Sequence, residues 1–484
     1  FISTTARRHA KQSGGCDMMT WNEVLAATNA KVHSGKLHGN ETIPHITTDT
    51  RKIAAGDLFI ALRGENFDGA DFAADALHKG AAAVLVSAPL SSSVKTALGK
   101  AKGAVLTVPD TLAAYQAIAH AWRMKFNIPV VAITGSNGKT TTKDLTAAVL
   151  SGRGAVCRTA ANYNNEVGLP LTLLGITEED TAAVVEIGMR GLGQIAALAP
   201  VAAPVIGIVT NVCEVHMELL GSIENIAKAK AELVQAIPAG GTVILNADDA
   251  RVAAMRTLAA EGVRVLTYGI RAGADIRAEA LRCGAEGSQF MVTWANERHD
   301  YSIPLAGRHN VSNALAALAA GFVLGLTPQQ MQAGLSHLTA TKMRYEVHEV
   351  GAWRFINDAY NASPSSMCAA IETTAALYAG RKVAVLGDML ELGAAAETAH
   401  RDIGRRVAEL GFAALVTYGA QAHWMHESAE AAGCPVCRYA ESHAEAAALL
   451  RALLADGDTV LFKGSRGMKM ENIIAQITGE KAGH

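Results

Sequence analysis

A short glycine-rich segment constrains this chain more than any other feature. Residues 133–142 read Ile-Thr-Gly-Ser-Asn-Gly-Lys-Thr-Thr-Thr and follow the apolar run 129–132. A buried strand that ends in such a turn and continues as a helix offers backbone N–H groups, a helix N-terminus, a lysine and hydroxyl groups to a triphosphate and its magnesium ion. The common motif GxxxxGK[ST] would need glycine at Ile133, whereas the chain has the tighter Gly-x-x-Gly-Lys-Thr over 135–140. We therefore predict a nucleotide-binding loop of unusual length, with a helix from Lys143 onward.

Length and composition describe a globular protein of several domains. The chain has 484 residues, which is too long for one hydrophobic core, so two or three domains are expected. Half of the residues are apolar and 18% are charged. The formal charge of −2 gives no general electrostatic reason to bind nucleic acid or an anionic membrane, and no apolar stretch approaches the roughly 18–20 residues that span a bilayer. The seven scattered cysteines fit a reducing compartment, so we expect a cytoplasmic monomer without nucleic-acid or membrane partners.

Residues 1–17 stand apart from the rest of the chain. They are basic and contain serine and threonine, but they lack a starting methionine and an apolar segment, so they are not a secretory signal. We expect an upstream extension or a remnant of cloning, with the natural start at Met18 or Met19. The alternative is an organellar transit peptide, which shares this composition.

Short apolar runs alternate with alanine-rich helical segments along the chain. Unbroken runs such as 182–187 and 205–209 are typical of central parallel strands covered by helices on both faces. Residues 270–305 alternate in shorter segments, which predicts a small antiparallel addition, and a helix is expected over 313–324. We predict an α/β protein with a smaller N-terminal α/β domain, a central P-loop domain with a doubly wound, mostly parallel sheet, and a Rossmann-like C-terminal α/β domain. The expected domains span 18–108, 109–335 and 336–484.

Polar residues follow several predicted strands, at the edge where doubly wound sheets bind ligands. Glu186 ends one such strand, and beside a phosphate loop its carboxylate suits magnesium; the alternative is a cap for the next helix. His216 and Lys230 have no role that chemistry alone assigns, because a packing histidine and a solvated helix lysine are the ordinary interpretations. Three asparagines within 162–165 indicate more than helix capping.

Two polar loops in the last third of the chain also follow strands. Residues 357–364 and 463–467 are placed where a second domain could meet an anionic substrate or phosphate. Cys434 and Cys437 lack a second ligand pair at comparable spacing, so we interpret them as incidental rather than as a zinc site.

Taken in order, these features resemble the Mur ligases, the ATP-dependent enzymes that add amino acids to the UDP-N-acetylmuramoyl precursor of bacterial peptidoglycan. The shared pattern comprises the loop 134–141, Glu186, His216, Ala-Lys230-Ala-Glu, His309-Asn310-x-x-Asn313, Arg344 and Asp358. Further segments resemble the branch that attaches D-alanyl-D-alanine: 48–51, 56–69, 162–170, 358–364, 387–393 and 463–471. The similarity runs from about Met18 to the end, and Ser363 departs from it because the family more often has asparagine there.

The resemblance implies a role for each of these residues. The implied ATP-binding residues are Thr134, Gly135, Ser136, Asn137, Gly138, Lys139, Thr140, Thr141, His309, Asn313, Arg344 and Asp358. The implied ligands of two magnesium ions are Thr140 and Glu186 for the first and His216 and Lys230, as a carbamate, for the second. The implied catalytic residues are Lys139, Glu186, His216, Lys230 and Arg344. The residues implied to bind UDP-N-acetylmuramoyl-tripeptide and D-alanyl-D-alanine are Thr48, Asp49, Thr50, Arg51, Phe67, Asp68, Asn162, Asn164, Asn165, Tyr360, Asn361, Lys463, Ser465 and Arg466.

The implied reaction is amide formation through an acyl phosphate, with ADP and phosphate as the other products. Within the same superfamily, another Mur ligase or a folylpolyglutamate synthase is the nearest alternative, because all share the central domain. From another class, the alternative is a nucleotide-dependent switch without ligase chemistry. A switch does not need a two-metal site or polar loops on flanking domains.

Overall fold

The computed structural model describes residues 18–64, 67–215, 217–271, 273–339 and 341–479. These residues form two compact units: the first holds the described part up to Ile128 with Thr159–Asp180 and Pro200–Ala203, and the second holds Pro129–Arg158, Thr181–Ala199 and the chain from Pro204 onward. The predicted extension 1–17, the pair Glu65 and Asn66, and His216 lie outside the described residues. None of the helices in the described part combines the length and apolarity that crossing a bilayer requires.

The first sheet has five strands in the order β1-β5-β4-β3-β2, with β1 antiparallel to β5 and the other pairs parallel. Its strands are β1 Lys31–Ser34, β2 Ile46–Thr47, β3 Leu58–Ile60, β4 Ala83–Ser87 and β5 Ala104–Val108, and its helices are α1 Trp21–Thr28, α2 Ala73–His78, α3 Ser92–Leu98 and α4 Thr111–Arg123. Local chemistry sets the helix starts. Asp110 Oδ1 accepts the backbone N–H groups of Leu112 and Ala113, which begins α4 at Thr111.

The second sheet has nine strands in the order β14-β13-β12-β11-β10-β9-β6-β8-β7. Its strands are β6 Val130–Thr134, β7 Ala155–Arg158, β8 Asp180–Glu186, β9 Ile206–Val209, β10 Thr242–Asn246, β11 Arg264–Gly269, β12 Ile276–Gly284, β13 Gly287–Trp294 and β14 Glu297–Ile303. The helices of this part of the chain are α5 Lys139–Ser151, α6 Gly168–Leu173 (in the first unit), α7 Gln194–Ala202, α8 Met217–Leu220, α9 Ile223–Ala236, α10 Ala250–Ala254, α11 Arg308–Val323 and α12 Pro328–Ser336.

The phosphate-loop strand lies inside this second sheet. Strand β6 pairs in parallel with both β8 and β9, so the carboxyl ends of three strands meet around the loop that follows β6. Strand β13 is antiparallel to both of its neighbours, β12 and β14, which confirms the predicted antiparallel addition. This arrangement brings Glu186, at the end of β8, to the loop.

The third sheet has six strands in the order β15-β16-β20-β17-β18-β19, and only the β15–β16 pair is antiparallel. Its strands are β15 Glu346–Val350, β16 Trp353–Asn357, β17 Lys382–Gly387, β18 Ala414–Tyr418, β19 Cys437–Ala440 and β20 Thr459–Lys463, and its helices are α13 Pro364–Leu377, α14 Ala396–Glu409, α15 His423–Ala431, α16 His443–Leu453 and α17 Glu471–Thr478. Two separate hydrophobic clusters cover its two faces. The predicted fold class, α/β with three sheets dominated by parallel strands, is confirmed. The domain boundaries stay a prediction.

Some predicted elements differ in extent from those in the structure. Helix α5 begins at Lys139 rather than near Lys143, because Gly138 takes a left-handed φ of +78° and turns the chain directly into the helix. Helix α11 begins before the predicted position 313, directly after Gly307.

Helix α12 packs against α5 through a glycine. A Cβ built on Gly334 would lie 1.9 Å from the carbonyl oxygen of Ala148, so the two backbones touch where no side chain fits. This contact helps to fix the position of α5, and with it the loop that precedes α5, in the layer of helices that packs on the second sheet.

We expect Gly334→Ala to lower the melting temperature. Alanine should stabilise the helix by about 1 kcal/mol through its higher helix propensity. Overpacking against a rigid backbone costs about 1–3 kcal/mol. Because the new Cβ would lie only 1.9 Å from the Ala148 carbonyl oxygen, the upper part of that range applies and the overpacking outweighs the propensity. Gln329→Ala on the exposed side of the same helix is the control and should shift the melting temperature little. A Gly334→Ala variant as stable as the wild type would contradict this packing.

Candidate active site

The loop between β6 and α5 has its backbone shaped by two glycines. A Cβ on Gly135 would lie 1.8 Å from Thr210 Oγ1, and a Cβ on Gly138 would lie 2.5 Å from Asn313 Oδ1. Gly138 also needs its left-handed φ, which side chains disfavour. Neither position therefore has room for a side chain. Such bare backbone is expected of a loop whose N–H groups surround a phosphate.

Strand β9 holds this loop through Asn211, a residue to which the sequence assigns no role. Asn211 Oδ1 accepts the Asn137 N–H at 2.8 Å, and Asn211 Nδ2 donates to the Asn137 carbonyl at 3.0 Å. The Asn211 carbonyl accepts the Ser136 N–H at 2.9 Å, and Thr210 Oγ1 donates to the Asn137 carbonyl at 2.7 Å. Two loop amides, at Ser136 and Asn137, are thus engaged with β9. The only sequence signal was a polar pair directly after a predicted strand.

Four charged or hydroxyl side chains meet at the start of α5. Thr140 Oγ1 donates to Glu186 Oε2 at 2.9 Å and accepts from Arg344 Nη2 at 3.0 Å. Lys139 Nζ donates to the carbonyls of Gly135 and Ser136 at 2.9 and 3.1 Å. Burial lowers the pKa of Lys139, while the charge of Glu186 raises it and that of Arg344 lowers it further. The sequence-predicted Lys139, Thr140, Glu186 and Arg344 are therefore brought together.

Lys230 is buried in α9, with 2% of its surface exposed. Its amine has no hydrogen bond or ion pair with any residue that the structure describes. Burial lowers its pKa well below the usual value, and the charge of Lys139 lowers it further. A lower pKa favours the neutral amine, which has the nitrogen lone pair that an ammonium lacks. The position of its predicted partner, His216, is outside the described residues.

Asn313 and His309 lie on α11, which runs beside the loop. Asn313 Oδ1 accepts from Thr142 Oγ1 at 3.2 Å, and Asn313 Nδ2 donates to Asn310 Oδ1 at 3.3 Å. The Asn313 amide thus joins α11 to the first turn of α5 in this structure. His309 keeps some solvent access, yet its burial among protein atoms lowers its pKa, against the opposing effect of the Asp358 charge.

The loops after β16 and β20 are joined by an ion pair. Lys463 Nζ lies 2.6 Å from Asp358 Oδ2 and donates to the Asn361 carbonyl at 2.9 Å. Ser465 Oγ accepts the Leu390 N–H at 2.9 Å. The predicted substrate residues Asn361, Lys463 and Ser465 therefore help to build these loops. Arg466 pairs with Glu471 at 2.6 Å.

The segment that begins α13 reaches the phosphate loop. Asn137 Nδ2 donates to Ser365 Oγ at 2.8 Å, and Ser363 Oγ donates to Asn137 Oδ1 at 3.1 Å. Ser363 also caps α13. Both ends of one loop amide are therefore bound by serines that follow β16.

In the first unit, the predicted substrate residues form two short capped turns. Asp49 caps the turn Thr50–Lys52 and binds Arg51 through both carboxylate oxygens, and the Arg51 side chain is the main cause that lowers the pKa of Asp49 to about 2. Asp68 caps a second turn and pairs with Arg63 at 2.6 Å. Phe67 is exposed, and Thr48 precedes the first turn.

The asparagine cluster belongs to the same unit. Asn165 Oδ1 accepts the Gly168 N–H at 2.9 Å and so begins α6, while the Asn164 N–H donates to the Asn162 carbonyl at 2.8 Å. Asn165 therefore supports the turn that leads into α6, whose N-cap is Val167, and the substrate roles of these residues stay predictions.

The side chains gathered at the start of α5 fit a nucleoside triphosphate and its magnesium ion. A carboxylate and a hydroxyl, Glu186 and Thr140, are oxygen ligands of the kind Mg²⁺ takes, and Lys139 and Arg344 supply positive charge beside them. Together with a parallel sheet whose strand ends converge on the loop, they define an α/β nucleotide-binding enzyme of the P-loop class.

Comparison with known proteins narrows this class to one family. Three family models match: "Mur ligase family, catalytic domain" over residues 42–123, "Mur ligase middle domain" over 133–321 and "Mur ligase, glutamate ligase domain" over 343–466. The chain is 40% identical to the UDP-N-acetylmuramoyl-tripeptide--D-alanyl-D-alanine ligase of Synechocystis, over 90% of this chain and 92% of the relative. Among solved structures it is similar to MurF from Acinetobacter baumannii, with a TM-score of 0.87 and 30% identity over 95% of this chain and 99% of that one. It is also similar to MurF ligase from Thermotoga maritima in complex with ADP, with a TM-score of 0.79 and 25% identity over 90% and 97% of the two chains.

The chain therefore belongs to the Mur ligase family, and the resemblance stated from its motifs is confirmed. It is an ATP-dependent peptide ligase.

Gly138→Ala should weaken nucleotide binding more than it weakens the fold. The matched control is Gly240→Ala, whose φ of +81° is close to +78° but which has no neighbour within 4 Å of a built Cβ. Each variant should lose about 1–2 kcal/mol of stability from the left-handed backbone, whereas only Gly138→Ala displaces Asn313. Titration calorimetry with ADP and magnesium should therefore show reduced affinity in Gly138→Ala alone. Equal affinities in the two variants would contradict the role of this contact.

Proposed function

We propose that this protein joins D-alanyl-D-alanine to UDP-N-acetylmuramoyl-tripeptide at the expense of ATP, through an acyl phosphate. The observation that carries the proposal is similarity along nearly the whole chain to ligases named for that reaction. The family alternatives share only the general architecture, so the choice among them rests on this full-length similarity. A switch without ligase chemistry is disfavoured by membership of a ligase family.

The chemistry requires activation of a carboxylate. A peptide carboxylate is a poor acyl donor because oxide would have to leave. Transfer of the γ-phosphoryl group of ATP to a carboxylate oxygen gives an acyl phosphate and ADP. The amine of D-alanyl-D-alanine then attacks the carbonyl carbon, phosphate leaves with the C–O bonding pair, and the amide nitrogen loses a proton.

The residues at the start of α5 suit the first of these steps. Phosphoryl transfer asks mainly for positioning and charge neutralisation. Lys139 and Arg344 bring positive charge to the loop, and the N-terminal end of α5, which begins after Gly138, offers the N–H groups of its first turn to the phosphates. Thr140 and Glu186 would hold one magnesium ion, whose charge would offset that of the phosphates. ATP contacts are also assigned to Thr134, Gly135, Ser136, Asn137, Thr141, His309, Asn313 and Asp358.

We assign a second magnesium position to His216 and a carbamate on Lys230. The neutral amine of Lys230 attacks the carbon of CO2, and loss of a proton leaves a carboxylate-like group. An ammonium has no lone pair for metal or for CO2, so the lowered pKa of Lys230 supports this assignment. The absence of a partner for its amine among the described residues supports it too.

The domain boundaries belong to the same proposal. The three sheets supply the support: β1 to β5 fall within 18–108, β6 to β14 within 109–335, and β15 to β20 within 336–484. The muramoyl substrate is assigned to Thr48, Asp49, Thr50, Arg51, Phe67, Asp68, Asn162, Asn164 and Asn165, and the dipeptide side to Asn361, Lys463, Ser465 and Arg466. The enzyme is proposed to work as a cytoplasmic monomer, where ATP is available.

Phosphate release from ATP tests the reaction directly. With UDP-N-acetylmuramoyl-tripeptide present, release should require D-alanyl-D-alanine and should not occur with single amino acids. Lys139→Ala should abolish turnover because it removes the cation of the loop. Release that depends on a single amino acid, or that needs no acceptor, would rule out this ligase assignment.

The Lys230 carbamate has its own spectroscopic test. Enzyme equilibrated with ¹³CO2 should give a carbamate carbon signal in ¹³C NMR, and Lys230→Ala should lose both this signal and turnover, with turnover partly restored by a short added carboxylate. Lys143→Met is the matched control, since Lys143 is also buried but lies 3.3 Å from the Asp144 carboxylate. A signal that survives in Lys230→Ala, or a failure of every carboxylate to restore turnover, would count against the carbamate.

A further inference from the structure

We infer that Tyr360 is a positioning residue for Arg344 rather than a residue that touches the dipeptide. The Arg344 guanidinium lies over the Tyr360 ring, with 4.1 Å between Cζ and the ring centroid. That distance is well within the range of a cation–π contact. The inference deepens the proposed function, because it concerns how Arg344 is held at the phosphate loop.

The backbone around Arg344 is strained on both sides. Met343 has a φ of +59° and Tyr345 a φ of +56°, which residues with side chains rarely adopt. Such conformations persist only where their surroundings impose them, and they concentrate at functional sites. These two left-handed residues flank Arg344 directly. They direct its side chain toward the phosphate loop, where Nη2 lies 3.0 Å from Thr140 Oγ1.

The contacts that impose the strain come from the loop that follows β16. The Tyr360 N–H donates to the Met343 carbonyl at 3.2 Å, and Asp358 Oδ1 accepts the Tyr345 N–H at 3.1 Å. Asp358 is fixed in turn by Lys463. One short loop therefore holds both strained residues and supplies the ring beneath the guanidinium.

The side chain of Arg344 needs this support. Its Nε is buried and has no hydrogen-bond partner among the residues that the structure describes, and the bond from Nη2 to Thr140 Oγ1 does not by itself set the guanidinium plane. The Tyr360 ring is the surface that fixes this plane. Because one ring face is covered by Arg344, that face is closed to a substrate.

The kinetic test compares Tyr360→Phe and Tyr360→Leu with the wild type. Phenylalanine keeps the ring face, so its kcat should stay within about twofold, whereas leucine should lower kcat about 3- to 30-fold, the range of a cation–π contact. The KM for D-alanyl-D-alanine should be unchanged in both. A raised dipeptide KM with kcat intact would instead place Tyr360 on the substrate and overturn the inference.

A matched control removes a comparable ring elsewhere. The Trp294 ring, on β13, lies 5.7 Å from Cζ of Arg264, on β11, and Trp294→Leu should leave kcat unchanged. If Tyr360→Leu does not fold, Tyr360→Met, which fills the same space with a flexible apolar chain, takes its place. Equal losses of kcat in the control and in the Tyr360 variant would overturn the inference.

Binding of a non-hydrolysable ATP analogue separates this inference from the proposed reaction, because it needs no acceptor. Tyr360→Leu should raise the dissociation constant about 3- to 30-fold, and the double variant Tyr360→Leu/Arg344→Ala should bind no worse than Arg344→Ala alone. An unchanged dissociation constant in Tyr360→Leu, or losses that multiply in the double variant, would overturn the role assigned to Tyr360 whatever the acceptor is.

Discussion

The site depends on the pairing of β6 with its two parallel neighbours. Strand β8 brings Glu186 to Thr140, and β9 brings Asn211 to the loop backbone. Once these three strands are in register, the loop has little freedom, since Asn211 binds the N–H and carbonyl groups of Asn137 and the N–H of Ser136. These bonds to Asn211 are consistent with the short spacing between the two glycines. A loop whose backbone is bonded to a neighbouring segment can be shorter than a loop that must hold its shape without such bonds.

Much of the fold could be predicted from the sequence because its signals are local. Unbroken apolar runs identified the parallel strands. The phosphate loop and Glu186 were identified because each directly follows such a run. Helix starts near glycine were less well predicted, as at Lys139 and Arg308, since a left-handed glycine allows an abrupt entry that side-chain periodicity does not reveal.

The remaining features of the site are non-local and could not be read from the chain. Asn211 reaches the loop only because β9 pairs with β6. That pairing depends on two segments that are far apart in the sequence. The burial of Lys230, and the lowered pKa that follows, depend on how α9 packs. The left-handed backbone at Met343 and Tyr345 contradicts the local preference of both residues, so only the surrounding contacts explain it.

The serines that hold Asn137 have a consequence for how such sequences vary. Ser365 accepts from one end of the Asn137 amide and Ser363 donates to the other, so three positions share one set of donors and acceptors. Replacing Ser363 with asparagine would change the donors and acceptors offered to Asn137. Substitutions at 137, 363 and 365 should therefore have been accepted in combination during divergence, and a residue that is neutral in one relative can be unfavourable when moved alone into another.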